Sequence, residues 1–496
     1  MNTTQSQGAV VPILSKFCSG RILPPVPAAC LLLAAVGSIS AYAGPDVPVD
    51  PASSIVQNEI SLAVVPGSLK GPPVVLLAAY NDNPYPGGFG LGVSYSTNAG
   101  ASWTSIQLPF PTNSLAGVKS TWAFDPTATA DTQGNLFVGH ISSFSSVGSA
   151  SGLYVHKSAN NGVSWQIPVE VSVDGAATNN PDPNYRFNDR CQIVADTFSA
   201  SPRKDNIYAA WIKDRGLNQP SPWSDIYFSY STDSGASFST PIQINNTNFS
   251  NMANMPIPAV APDGTVYVSW LDYDVTVGGT GTIYLDSSTD GGATWVSNRL
   301  VAAINLPPLN VTTAFLVSDA LAKGAPVLAV SPSDPNDLYL MYAYNNPANP
   351  LDEADIYFMS STNGGYAWST AIQVNDDPSN NDQILPWMAV MRNGTIVAAW
   401  YDRRNDASDA NWDVYTTTST DGGVTFSPNQ PVNDPGTAAP TPVGGTWMGE
   451  YLGLTVDSRY AYFMWTSAWL DTAGDLYFDT SDITGPPVIG TAIFGK

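Results

Sequence analysis

Three short runs carry residue types that can do chemistry: Asp189-Arg190, Asp402-Arg403-Arg404 and Glu450-Tyr451. An arginine fork donates two parallel hydrogen bonds to a planar carboxylate. These arginines therefore suit an anionic group on a ligand, and the carboxylates beside them suit general acid–base work. The same residues also suit a structural role. Arg403 and Arg404 have Asp402, Asp406 and Asp409 as nearby partners for ion pairs that tie the fold together. Glu450 and Tyr451 are adjacent, so within a strand they would point to opposite faces. Other chemistries lack their residues. His140 and His156 do not have metal-ligand spacing, and there is no Cys/His cluster. No glycine-rich phosphate loop and no Gly-x-Ser-x-Gly elbow occur. No cofactor is required. Two oxygen-rich loops, Asp376-Asp377 with Asp382 and Asp334 with Asn336 and Asp337, could hold a structural calcium or be solvated turns.

A repeat sets where such residues can stand. Six octapeptides begin at Ser96, Ser158, Ser231, Ser288, Ser361 and Ser419, on the template Ser-x-Asp/Asn-x-Gly-x-x-Trp/Phe. An Asp or Asn side chain accepts backbone N–H bonds and folds the chain back. The fixed Gly supplies a positive φ without a Cβ penalty. The closing aromatic packs into the core. Each octapeptide thus reads as a turn between two strands. Upstream lie an apolar strand, an Asp/Gly turn and an alternating strand, as in Ile257 to Asp272 and Asn393 to Asp402. A third strand leads into each octapeptide. The unit is four antiparallel strands over roughly 60 residues, which predicts an all-β propeller. Seven units can be counted. The seventh, Tyr451 to Asp479, repeats the strands without an octapeptide. A seven-bladed ring is the first expectation, and six blades with an appendage the second.

The octapeptides resemble the Asp-box, or bacterial neuraminidase repeat, of sialidases and related propellers, and the resemblance spans nearly all of residues 55–496. It implies a sialidase-like fold and an exo-glycosidase acting on a terminal sugar. Such sialidases clamp the substrate carboxylate with three arginines, attack with a Tyr/Glu pair and use an Asp as acid/base. The first arginine usually sits in a Phe/Tyr-Arg-Ile-Pro motif before the first octapeptide. Here the nearest match is Tyr185-Arg186-Phe187-Asn188, after the second. The alternative is a non-catalytic glycan- or protein-binding propeller. In propellers of this kind the octapeptides lie opposite the usual active site. That places Asp82, His140, Asp214, Arg215, Asp272, Asp274 and Tyr344 on the other face. The named set Asp189, Arg190, Asp402, Arg403, Arg404, Glu450 and Tyr451 would stand there too.

Composition bounds the partners. The 496 residues hold 18 Lys+Arg against 41 Asp+Glu, a net charge of −23. That excludes a basic nucleic-acid face and opposes docking on anionic lipid, which leaves a glycan or glycoconjugate as the expected partner. Residues 1–43 read as a secretory signal: Lys16 and Arg21, an apolar run from Val26 to Ile39, then Ala41-Tyr42-Ala43. Its removal would leave an exported, extracytoplasmic chain with no membrane insertion. Cys191 would then be the one remaining cysteine, best read as a small core residue. Residues 44–54 read as a Pro-rich leader, and 55–496 as one propeller.

Overall fold

The computed structural model describes residues 46–50, 57–66, 74–85, 88–112, 114, 117–144, 150–174, 186–215, 223–245, 252–273, 279–296, 298–307, 325–409, 411–440, 449–467 and 475–483. The signal reading lies outside them. The described residues form strands and turns with no helix. Their pairing groups into four-stranded antiparallel sets, six of them meanders whose strands follow one another in sequence, with sets three and four joined by a single parallel bridge, Ser224 to Met252. Seven such sets are traced, and the first strand of each is the innermost. These first strands are Gln57–Val64, Trp122–Ala130, Arg186–Ala195, Met252–Val260, Val327–Val330, Gln383–Val390 and Gly453–Val456. Each packs against the next, and the seventh packs against the first. The described residues therefore form a closed β-propeller, in which radial repetition leaves only short, protected sheet edges.

The seventh set explains its missing octapeptide. Its outer strand is Val47–Pro48, which pairs with Phe478 and Tyr477 of the strand Asp475–Asp482. The amide of Val49 adds a bond to the carbonyl of Leu476 (3.0 Å). The fourth strand thus comes from the far end of the sequence, so this set needs no third-to-fourth turn. Part of the stretch read as a leader belongs to the ring.

The octapeptides are turns, as their residues predict, and they also join neighbouring units. In the copy at Ser419, the hydroxyl donates to Asp421 (2.8 Å) and accepts from the Gly423 amide (2.8 Å). Asp421 then accepts from the Thr425 amide (3.0 Å). The other five copies repeat this geometry. Each fixed glycine has positive φ and lies on a side chain of the preceding unit: Gly423 on Phe358, Gly292 on Phe228, Gly162 on Tyr95. Gly100 lies on Phe478, which carries the series across the closure. Three closing aromatics meet the same partners edge-on: Trp103 on Phe478 (5.1 Å), Trp295 on Phe228 (4.7 Å) and Phe426 on Phe358 (5.2 Å).

A pair of glycines separates strain from collision. Gly394 has φ +89° with nothing near its absent Cβ, whereas at Gly423 (φ +84°) a methyl group would overlap the Phe358 ring. Gly394→Ala is expected to cost about 1 kcal/mol. Gly423→Ala is expected to cost about 3 kcal/mol, because strain and overpacking add. Urea midpoints of the two variants check this, and equal costs would remove the inter-unit contact from the account.

Candidate functional site

The first strands carry a second repeat that unites no residue type. Five of them hold a β-bulge between their second and last ladder pairs, in sets one, two, three, four and six. At each bulge stands a non-glycine residue in the left-handed region: Glu59 (φ 54°), Asp125 (52°), Arg190 (49°), Met255 (53°) and Leu385 (52°). Each lies five positions before the last ladder pair of its strand. The same register falls on Ala325 in set five and Tyr451 in set seven. These seven residues form one layer around the axis, none more than 8% exposed. Left-handed backbone costs roughly 1 kcal/mol or more for a side-chain-bearing residue, so the layer stores strain where the chain turns into the channel.

The layer is two-sided. Met255, Ala325, Leu385 and Tyr451 belong to one apolar cluster. Glu59, Asp125 and Arg190 form the charged half. Arg190 pairs with Glu450 from the opposite side of the ring, and its Nη2 donates to Glu450 Oε1 at 3.0 Å. Arg190 Nη1 also lies 3.2 Å from the Met255 sulfur. The Arg190 amide donates to Asp125 Oδ2 (2.7 Å), and the Asp125 amide to Glu59 Oε2 (3.2 Å). Asn81 anchors Glu59 with an Nδ2 bond of 2.5 Å. Gly449 lies against the Glu59 backbone, where a Cβ would collide.

Protons gather in this half. Burial first, and then the neighbouring Glu59 carboxylate, push Asp125 up to about 7. Asp189, hydrogen-bonded to Asp125, is pushed well above the carboxylate range by desolvation and then by the Asp125 charge. Two carboxyls in contact cannot both ionise cheaply, so the pair favours sharing one proton. Asp189 stands one residue before the buried layer and retains part of its surface. Burial likewise raises Tyr451 well above the ordinary phenol range, which disfavours the phenolate a nucleophile needs.

Asp125 makes stability pH-dependent. Its carboxyl binds a proton more tightly folded (about 7) than unfolded (3.8). This stabilisation is complete below the unfolded value and is lost as pH rises through about 7. Wild type should lose more stability than Asp125→Asn between pH 5 and pH 8, by a few kcal/mol at most. Denaturant melts at both pH values measure it. An identical slope in the variant would show that Asp125 ionises normally.

The structure brings together four of the seven residues named from sequence: Asp189, Arg190, Glu450 and Tyr451. Glu450 and Tyr451 both reach the axis because their strand begins only at Gly453, so the alternation expected within a strand does not apply. Asp402, Arg403 and Arg404 are engaged within set six. Arg404 donates Nε and Nη2 to Asp402 (3.0 and 2.8 Å) and Nη1 to Asp376 (2.7 Å), and stacks on Tyr415 (4.1 Å). Arg403 is fully buried, pairs with Asp382 and Asp409 (3.4 Å each) and stacks on Trp412 (3.8 Å). These are the ion pairs of the structural alternative. Arg404→Ala is expected to lower the urea midpoint, because the buried Asp402 loses its two-pronged partner. An unchanged midpoint would show that this ion pair carries no structural weight.

His140 is buried and stacked on His156 (5.2 Å), Asp82 accepts from Gln107 (2.8 Å), and Asp214 and Asp272 are buried. Asn305 Nδ2 lies 3.4 Å from the Tyr344 hydroxyl. Asp274 and the Arg215 side chain lie outside the described residues. Among the described residues no three acidic, His or Cys side chains converge as metal ligands. Sequence reading missed Glu59, Asp125, Met255 and Leu385. Their signal was positional: Asp125, Met255 and Leu385 each precede a proline, at a fixed distance before the end of the first strand.

No family model and no curated protein matches the chain. Solved structures do. The α-L-arabinofuranosidase of Fusarium graminearum, in complex with an iminosugar inhibitor, aligns over 90% of this chain and 99% of its own, at 12% identity and TM-score 0.45. The α-L-arabinanase of Penicillium chrysogenum aligns over 89% and 98%, at 10% identity and TM-score 0.43. The Hadza microbial sialidase Hz136 aligns over 86% of this chain and 66% of its own, at 14% identity and TM-score 0.45. At these identities the likeness concerns the fold alone.

Proposed function

We propose that this chain is a seven-bladed, exported, glycan-directed propeller that hydrolyses a terminal uncharged sugar at the charged half of its axial layer. The observation that carries this reading is the Asp189–Asp125 pair. A carboxyl that keeps its proton at neutral pH is what a glycosidic leaving oxygen needs as general acid. A second carboxylate must act on the other side of the bond, and Glu59 is assigned that role because Arg190 already neutralises Glu450. Arg190 positions Glu450 and closes the axis. An arginine clamp for a sugar carboxylate gains no support, since Arg403 and Arg404 are spent on aspartates of their own sheet. The net charge of −23 also repels anionic glycans at long range.

A second reading, a glycan- or protein-binding propeller without catalysis, draws on the burial of the axial layer. Aryl glycosides of neutral sugars, with a sialoside beside them, separate the readings. Turnover of a neutral glycoside supports hydrolysis. Sialoside turnover alone would reinstate an anionic substrate. A folded protein that turns over none of them is a binding propeller.

A further inference from the structure

Beyond the axial layer the channel opens into a cavity of about 350 Å³ that no part of the proposed hydrolysis uses. It begins two residues after the layer position in six sets and at Leu452 in set seven, and it runs to the ends of the first strands. It therefore lies on the octapeptide side, and the layer separates it from Asp189. Strands of all seven sets line it.

Its wall is divided as the layer is. Sets one to three present Ser61, Thr127 and Gln192, whereas sets four to six present Ile257, Val327 and Trp387. The hydroxyls are already oriented by the ring itself. Ser61 accepts the Ala128 amide (2.9 Å), and Thr127 accepts the Ile193 amide (3.2 Å). Thr127 in turn donates to the Gln192 carbonyl oxygen (3.2 Å). That bond fixes the amide and leaves Gln192 Nε2 without a protein partner among the described residues. Gln192 is only 8% exposed and lines the cavity. That donor faces the cavity and is available to an acceptor bound there. On the opposite wall Trp387 is held edge-on by Tyr451 (6.4 Å, 87°), which fixes its plane. Two charged side chains, Arg392 and Asp457, line the rim of the cavity. Arg392 donates to the Thr197 carbonyl (3.2 Å), and Asp457 accepts from the Tyr462 hydroxyl (2.7 Å).

We infer that this cavity is a second ligand site for one uncharged monosaccharide ring. The size falls in the range of small-molecule pockets. A sugar has hydroxyls around its rim, to accept from Gln192 and exchange bonds with the threonines, and a C–H face that suits the Trp387 side. An anion would meet one cation, Arg392 at the rim, on a wall that Asp457 also lines, and a wholly apolar ligand would bury Gln192 Nε2 unpaired.

The test is calorimetric or saturation-transfer NMR titration of the intact protein with D-galactose, D-xylose and L-arabinose, with N-acetylneuraminic acid as the anionic contrast. The expected result is binding of a neutral sugar with a Kd of about 1 mM. It should weaken at least about tenfold in Gln192→Leu and in Trp387→Phe, and persist in Asp189→Asn. Thermal melts confirm folding, and Trp387→Phe preserves the ring if Gln192→Leu does not fold. No neutral sugar bound up to about 50 mM would overturn the inference, leaving a water-filled channel. So would binding that is lost in Asp189→Asn and kept in the two cavity variants, because the ligand would then sit at the other site. Since the two sites are varied separately, failure here leaves the hydrolase reading standing, and the reverse holds too.

Discussion

Asp189→Asn is expected to lower kcat on a neutral aryl glycoside by about 10²–10⁴, with KM nearly unchanged and folding intact. The amide keeps the shape and can still donate to Asp125, but it cannot release a proton to the leaving oxygen. An aryl glycoside with a very acidic phenol needs little protonation, so the variant should regain part of its rate there. That rescue distinguishes a lost general acid from a distorted site. Equal losses on good and poor leaving groups would remove Asp189 from the acid role.

Arg190→Met is expected to cost about 3–5 kcal/mol of stability, because Glu450 is left buried without its partner. Glu450→Gln should cost less, since an amide oxygen still accepts from the guanidinium. In the double variant Arg190→Met/Glu450→Gln the loss should be smaller than in Arg190→Met alone, because no carboxylate is then stranded. The pair spans the ring, so its loss also loosens the closure between sets three and seven. Additive losses in the double variant would show that the two residues act apart.

The extent to which this molecule was legible in its sequence follows from what each repeat conserves. The octapeptides conserve residue types, since the turn needs a side-chain acceptor, a glycine and an aromatic, and they could be read directly. What they left hidden was direction: Gly423 and Phe426 serve the contact to Phe358 in the preceding unit as much as their own turn. The axial layer conserves register and lets the residue type vary from Glu59 to Leu385, so no motif marks it. Only the bulges, seen in the ladder pairing, align it. Arg403 and Arg404 illustrate a further limit. Proximity to Asp402 and Asp409 allowed both a clamp and an ion pair, and the decision lay with Trp412 and Tyr415, whose rings hold the guanidiniums against their own sheet. The strand Val47–Pro48 was hidden because its partner lies more than 400 residues away in sequence.

The most direct test of the central claim is a pH–rate profile of kcat/KM on a neutral aryl glycoside, for wild type and Asp125→Asn, once a substrate from the glycoside panel is in hand. Activity that falls as pH rises into the alkaline range, with that limb displaced in Asp125→Asn, is the predicted result, since in the proposed reaction the Asp125 carboxyl tunes the proton that Asp189 delivers. A profile identical in both proteins, or a sialoside turnover that vanishes in Arg403→Ala and survives in Asp189→Asn, would contradict an axial carboxyl site.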